Sequence, residues 1–323
     1  MAESSTGGRP LRLVGGVAAY NEEPRIERSL RSILDQELPD ELEWTKIWVV
    51  ASGCTDRTAE IVQKFSEQDP RIALVAEAER NGKATALNHI FRRAEGDFLV
   101  LLDGDSVAAP GAVRSMWAAA RGVSPPFAVM GRPAPPSAPI GKIYPEVELL
   151  YRLHHEYHAE VLSRGEGTHL ADNLMLLSLG GNPTLPRSLV NDGPFLAHWV
   201  LGHGGRLLYA PDAGVILKIP LTWSDHLAQR RRIHWGHWQV RDLTGIEVTT
   251  LETHARTRPW EAWKIVVRSV RASPKGVQSL LALLMAEVAA LTLARWDRVP
   301  PRREHAIWVP IRDALPTPGR RSL

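Results

Sequence analysis

A single cysteine in 323 residues, Cys54, leaves no disulfide framework and no multi-cysteine zinc site. The expected compartment is therefore reducing, the cytoplasm. Long hydrophobic runs are equally scarce. Only residues 276–294 approach the length needed to cross a bilayer, which excludes a multi-span membrane protein. No signal peptide is expected, because residues 1–10 are polar and the first apolar run, 11–19, is too short and reads as a strand. Disorder is not the default reading for a composition that is 44% hydrophobic and 23% charged, with a mean hydropathy of −0.17. At roughly 150 residues per domain, the length corresponds to about two domains and can bury a sizeable core.

The net charge of +3 is unevenly placed. Residues 254–323 hold thirteen Lys and Arg against five Asp and Glu, so that segment is strongly basic and the remainder is acidic. Seven of the eleven tryptophans lie beyond residue 220. A basic, Trp-bearing tail is suited to an anionic partner, and Trp favours places where one side is apolar and the other wet.

The first hundred residues alternate two hydrophobic periods. Residues 11–19 predict a strand, and Asn21-Glu22-Glu23-Pro24 then opens a helix carrying Ile26, Leu30, Ile33 and Leu34 at helical spacing. Residues 46–51 predict a buried strand, followed by a helix with Ile61, Val62 and Phe65 that Asp56 can cap. Residues 71–76 predict a third strand, Leu87, Ile90, Phe91 and Ala94 a third helix, and residues 97–102 a fourth strand ending at Asp103. This rhythm predicts a mostly parallel sheet with helices on its faces and a ligand at the carboxyl ends of its strands. The second half is less regular: a proline-rich loop over 133–139, helices over 146–163, 194–202 and 224–243, a strand over 172–179, and short strands over 207–209 and 215–219. No internal repeat is present.

Five separated motifs carry the chemistry. Residues 18–23 read Ala-Ala-Tyr-Asn-Glu-Glu at a strand end, residues 81–88 read NGKATALN, and Asp103-Gly104-Asp105 follows a hydrophobic strand. Asn191-Asp192 and Gln229-Arg230-Arg231-Arg232 complete the series. Alternate residues of an extended segment point the same way, so the carboxylates of Asp103 and Asp105 can face one site. Hard oxygen ligands of that kind suit Mg2+ or Mn2+ on a diphosphate. Lys83 can reach a base or phosphate as a point charge, and guanidinium groups bind phosphate oxygens in pairs.

In order and spacing these motifs resemble the family 2 glycosyltransferases of the GT-A fold, over roughly residues 11–240. The resemblance implies an α/β, Rossmann-like, mostly parallel sheet with helices on both faces and a helical C-terminal extension. The implied organisation is a flexible start over 1–10, a GT-A domain over 11–245 and a basic, Trp-containing helical extension over 246–323. It implies an enzyme that transfers a single sugar, with inversion, from a nucleoside diphosphate sugar to an acceptor hydroxyl, with Mg2+ or Mn2+ as cofactor. By motif position, Ala19, Tyr20 and Glu22 hold the nucleoside and Asp103 the ribose, while Asp105 holds the metal. Lys83, Gln229, Arg231 and Arg232 also belong to the donor site, and Asp192 is the general base.

The sequence departs from the family pattern at three places. Ala51-Ser52-Gly53 stands where Asp-Asp-Gly is common, so Ser52 is the expected base reader and UDP and GDP both stay open. Asn191 replaces the usual acidic residue before the base. Ile233, not Trp, follows the Gln/Arg motif, which argues against processivity. His154, His155 and His158 share a predicted helix and read as polar helix-face residues, with no partner motif for a metal.

The tail adds an interfacial pattern. Trp260, Trp263, Val266, Val267 and Val270 recur at helical spacing, with Lys264, Arg268 and Arg271 between them. Glu287 sits near the middle of the apolar run 276–294, which weakens a spanning reading. Attachment to the inner membrane surface, spanning, and packing in the core or against a second copy all remain open. Attachment would present the site to a lipid-linked or otherwise membrane-borne acceptor. Nucleic acid is not an expected partner, since no binding motif accompanies the basic tail. A sugar nucleotidyltransferase and a non-catalytic nucleotide-sugar-binding protein are the alternative functions. The glycine-rich basic start of the first is absent, and Asp103, Asp105 and Asp192 argue against the second.

Overall fold

The computed structural model describes residues 9–178, 180–298, 305 and 307. Most of the expected flexible start and the end of the basic tail lie outside the described residues. The chain runs β1 (Leu11–Ala19), α1 (Ile26–Leu34), β2 (Leu42–Ser52), α2 (Thr58–Gln68), β3 (Ile72–Glu77), α3 (Lys83–Phe91) and β4 (Phe98–Asp103). It continues through β5 (Val107–Ala108), α4 (Ala112–Ala120), β6 (Phe127–Ala134), α5 (Tyr144–Ser163), β7 (Leu174–Ser178), α6 (Asp192–Gly202) and β8 (Arg206–Ile216). Four helices close it: α7 (Trp223–Thr244), α8 (Leu251–Thr257), α9 (Pro259–Arg271) and α10 (Gly276–Arg298).

Among the described residues the strands form one sheet in the order β3-β2-β1-β4-β7-β6-β8-β5. The first four strands are parallel, as the alternating pattern predicts. β7 then runs antiparallel to both β4 and β6, and β5 antiparallel to β8, so the sheet is mixed. That reversal has a consequence for function: it brings the start of β7 beside the carboxyl end of β4.

Strand alternation sorts the core onto two faces. Leu13, Val17, Val100 and Leu102 pack on one side with α1, α2 and α4. Val14, Leu99 and Leu101 pack on the other with α3, α6 and Val240 of α7. The proline-rich loop begins later than expected, because Pro133 ends inside β6, where its missing N–H is tolerated near the strand terminus. The two short strands expected over 207–219 are one strand, β8, whose pairing with β6 is irregular opposite Met130–Arg132.

The C-terminal helices pack against the domain. Leu149, Leu153, Tyr157 and Val161 of α5 form a separate apolar cluster with Ile265 of α9 and Leu283 of α10. The inner face of α10 is made of small residues, Ser279, Ala286, Ala290 and Ala294, around Leu283. Its outer face exposes Val277, Leu281, Leu284, Met285 and Val288. By length and composition α10 is apolar enough to cross a bilayer. Glu287, however, is turned inward and paired with Arg230 and His234 of α7.

Candidate active site

The carboxyl ends of β1, β2 and β4 open into a cavity of about 700 Å3. Two close backbone approaches shape it. A Cβ on Gly104 would meet the Ala19 Cβ at 2.8 Å and the Ala18 carbonyl oxygen at 2.9 Å, so β1 and β4 can lie this near only with glycine there. Gly53 has φ +60, and a Cβ on it would stand 2.3 Å from the Arg80 backbone nitrogen. Asn21, also left-handed at φ 53, ties the β1–α1 loop to the β2–α2 loop: its amide donates to Thr55 Oγ1 and its carbonyl accepts from the Thr55 N–H. Asp56, expected to cap α2, lies one residue before its N-cap, Arg57, and accepts from the Thr58 N–H at 3.0 Å.

Ala19, Tyr20, Glu22 and Ser52, the residues expected to hold a nucleoside, all line this cavity. The Arg80 guanidinium lies 3.6 Å from the Tyr20 ring centroid, a cation–π contact that fixes the ring. Ser52 is 4% exposed and its hydroxyl has no hydrogen-bond partner among the described residues. An unsatisfied buried hydroxyl is costly, so it is primed for a ligand.

Lys83 is the hub. Its Nζ lies 2.6 Å from Asp103 Oδ1, 2.7 Å from Asp172 Oδ2 and 3.1 Å from Asp192 Oδ2. Burial pulls the Lys83 ammonium down, but three carboxylates outweigh it and hold the group well above its usual range. Asp103 is pushed up to about 6 by burial, with Lys83 opposing and Asp172 and Asp105 adding to the rise. Its second oxygen accepts from Asn173 Nδ2 at 3.0 Å. Asp172 and Asp192 share a hydrogen bond and titrate as a pair. Burial, then the Asp172 charge, drives Asp192 well above the carboxylate range. Asp172 is lowered instead, because Lys83 and the hydrogen bond from Asp192 overcome its burial. Asp172 belongs to the cavity wall, and Asp192, 4% exposed at the start of α6, lies behind it.

Asp105 also lines the cavity, with Oδ1 accepting from Ser106 Oγ at 3.2 Å. Among the described residues no three His, Cys, Asp or Glu side chains are spaced to enclose a metal. The donor set here is one or two carboxylates, and it fits a hard cation whose remaining ligands come from a diphosphate and water.

The Gln/Arg motif divides its side chains. Gln229, Arg230 and Arg232 line the cavity. Arg230 makes a two-pronged pair with Glu287, at 2.6 and 3.2 Å, and Arg232 donates to the Val190 carbonyl at 2.8 Å. Arg231 turns away from the cavity and pairs with Asp297. Successive residues of a helix project about 100° apart, so the motif's side chains fan out around α7, and Arg231 reaches Asp297 of α10 instead of the cavity. The arginine facing inward alongside Arg232 is Arg230, which the sequence did not single out.

Two further groups escape sequence reasoning. Asp172 reads as an ordinary strand start, and only the antiparallel course of β7 carries it to Lys83. His154 and His158 face the cavity, not the outer side of their helix, and meet His169 and His237 there. His155 alone takes another course, with Nδ1 2.7 Å from the Tyr209 hydroxyl.

Residues 16–165 match the family model described as Glycosyl transferase family 2. The chain is 37% identical over 87 residues to TuaG of Bacillus subtilis, named for teichuronic acid biosynthesis, across 27% of this chain and 33% of that protein. It is 33% identical over 91 residues to the poly-beta-1,6-N-acetyl-D-glucosamine synthase of Staphylococcus epidermidis, across 28% of this chain and 21% of that one. These matches span between a fifth and a third of the relatives' length. The mannosyltransferase PcManGT of Pyrobaculum calidifontis, solved with GDP-Man and Mn2+, superposes with a TM-score of 0.59 at 22% identity, over 91% of this chain and 89% of that one. With the mixed sheet, these similarities show a GT-A fold whose residues 16–165 are similar to family 2 glycosyltransferases.

Proposed function

We propose that the protein is an inverting, metal-dependent transferase. It moves one sugar from a UDP- or GDP-sugar to an acceptor hydroxyl at the inner membrane surface. The observation that carries this reading is the convergence of Asp103, Asp172 and Asp192 on Lys83, beside a cavity that Asp105 also lines.

In this reading Ala19, Tyr20, Glu22 and Ser52 hold the nucleoside and Asp103 the ribose. Lys83, Gln229 and Arg232 face the diphosphate, Arg230 stays paired with Glu287, and Arg231 serves instead to fix α7 to α10. Asp105 would hold Mg2+ or Mn2+, which supplies positive charge against the leaving diphosphate. The acceptor oxygen bonds to the anomeric carbon as that carbon's bond to the diphosphate oxygen breaks. The electron pair leaves with the nucleoside diphosphate, and the hydroxyl proton passes to the Asp172–Asp192 pair. Asp192, expected to act alone, is the buried member of the pair, with Asp172 as its cavity-facing partner. A diphosphate that draws Lys83 toward itself raises the proton affinity of both carboxylates, which makes them better bases when donor is bound.

Attachment to a membrane is supported by the outer surface. Trp260 and Trp263 of α9 and Met285 and Val288 of α10 are exposed, and Lys264, Arg268, Arg271 and Lys275 lie on α9 and its connection to α10. Apolar side chains ringed by cations suit an anionic bilayer face. The test of inversion is the anomeric configuration of the product, read by the proton coupling at the anomeric carbon. The account expects it opposite to that of the donor, and retention would overturn the single-displacement step.

A further inference from the structure

The cavity is longer than a nucleotide sugar site requires. Beyond the carboxylates it continues between α5, α8, α9 and α10, where Leu150, Leu153, Ala262, Val266, Leu280 and Leu283 form its wall. Trp263 and Leu284 belong to that wall and are also 56% and 53% exposed. They therefore mark a mouth that opens onto the apolar outer face of α9 and α10. His154, His158, His169 and His237 line the same cavity.

The histidines have an unmet need. His154 Nδ1, His158 Nε2 and His169 Nδ1 are buried with no hydrogen-bond partner among the described residues. Burial, reinforced by their mutual repulsion and by Arg230, keeps His154, His169 and His237 uncharged near neutral pH, and burial does the same for His158. Neutral imidazoles can each donate and accept, which matches hydroxyl groups. An anionic head would instead seek cations, and Arg230 is already held by Glu287.

We propose that this inner chamber is the acceptor site and that the acceptor is an uncharged, sugar-headed amphiphile. Its hydroxyls lie among His154, His158, His169 and His237, and its apolar chain leaves between α9 and α10 through the mouth at Trp263 and Leu284. The assignment rests on the transferase reading above and adds the acceptor's chemical class. It explains why one cavity joins a polar site to an exposed apolar face. A lipid lying in the bilayer can then offer its head to the carboxylates without leaving the membrane.

The experiment uses the full chain and decyl β-maltoside below its micelle concentration, titrated by calorimetry, with maltose and pentaethylene glycol monodecyl ether as head-only and tail-only probes. Binding of UDP or GDP with Mn2+ is measured on the same samples. The proposal expects one-to-one binding of the maltoside, at least tenfold tighter than either probe. Ala262→Trp fills the chamber without touching the outer face and should weaken maltoside binding at least tenfold while nucleotide binding persists. Val266→Phe, a smaller intrusion, should show the same direction if the first variant does not fold. Equal maltoside binding in wild type and a folded variant would place the chain on the outer face alone and overturn the proposal. So would maltoside binding no tighter than that of the probes. If wild type binds nucleotide but no maltoside, the acceptor assignment falls and the donor site stands. If it binds no nucleotide, the underlying reading falls with it.

Discussion

Acid weakens the folded state through His226, and the size of the effect follows from its surroundings. The side chain is 0% exposed, and neither ring nitrogen has a hydrogen-bond partner among the described residues. Burial, then the nearby Arg230 charge, pushes its folded pKa down to about 4, against about 6.5 in the unfolded chain. At pH 7 both states leave the ring largely neutral. As the pH falls to 5 the unfolded chain binds nearly a full proton and the folded chain does not, so stability drops by about 2 kcal/mol from this residue alone. That contribution is complete above pH 6.5 and is lost progressively as the pH falls toward 4. His226→Phe removes the titration and keeps a flat ring of similar reach. Urea unfolding of both proteins at pH 7 and pH 5 isolates the effect, because the other buried histidines contribute equally to each. The variant should lose about 2 kcal/mol less than wild type between the two pH values. Equal losses would show that His226 is charged, or paired, in the folded state, and would refute the reasoning.

The remaining predictions concern the site and the surface. Asp192→Asn and Asp172→Asn should each lower kcat by about 10²–10⁴-fold with nucleotide affinity retained, as for loss of a general base; unchanged turnover would move that residue out of the proton transfer. Because the pair holds its last proton above the usual carboxylate range, kcat should rise with pH through an elevated acid limb. Asp172→Asn, by removing the neighbouring charge, should shift that limb downward. Gly53→Ala places a Cβ against the Arg80 backbone at positive φ and should cost about 1–3 kcal/mol, measured by thermal or urea unfolding. Liposome flotation should recover the protein with anionic vesicles at low salt and less of it at high salt, since screening removes only the electrostatic part. No recovery with anionic vesicles at low salt would contradict surface attachment.

The parallel half of the sheet was legible because its signals are local. Residues 11–19 form β1 over the predicted span, and the strand ending at Asp103 ends there in the structure. Each of these strands is a continuous apolar run bounded by turn residues, a pattern that needs no knowledge of the rest of the chain. The motifs gave Lys83, Asp103 and Asp192 by resemblance, and the structure brings the three together. What the sequence hid depends on topology or on helix phase. Asp172 is 89 positions from Lys83, and the hydrogen bond between them exists because β7 runs antiparallel to β4. In a fully parallel sheet the start of β7 would lie at the opposite edge. Arg230 and Arg231 are neighbours in sequence, yet only Arg230 lines the cavity while Arg231 pairs with Asp297, and the phase of α7 decides which one does so. His154 and His158 looked outward because their helix alternates polar and apolar residues with little bias. Their inward course is set by the C-terminal helices, which close over α5 from more than a hundred residues away.

Metal-assisted nucleotide binding at Asp103 and Asp105 is the central claim, and calorimetric titration of the full chain with UDP and with GDP, each with and without Mn2+, tests it most directly. The account predicts that one of the two nucleotides binds in a one-to-one ratio, that Mn2+ tightens the binding at least tenfold, and that Asp105→Ala abolishes the metal effect while the protein stays folded. Failure of both nucleotides to bind wild type in the presence of Mn2+, or equal binding by wild type and Asp105→Ala, would contradict it.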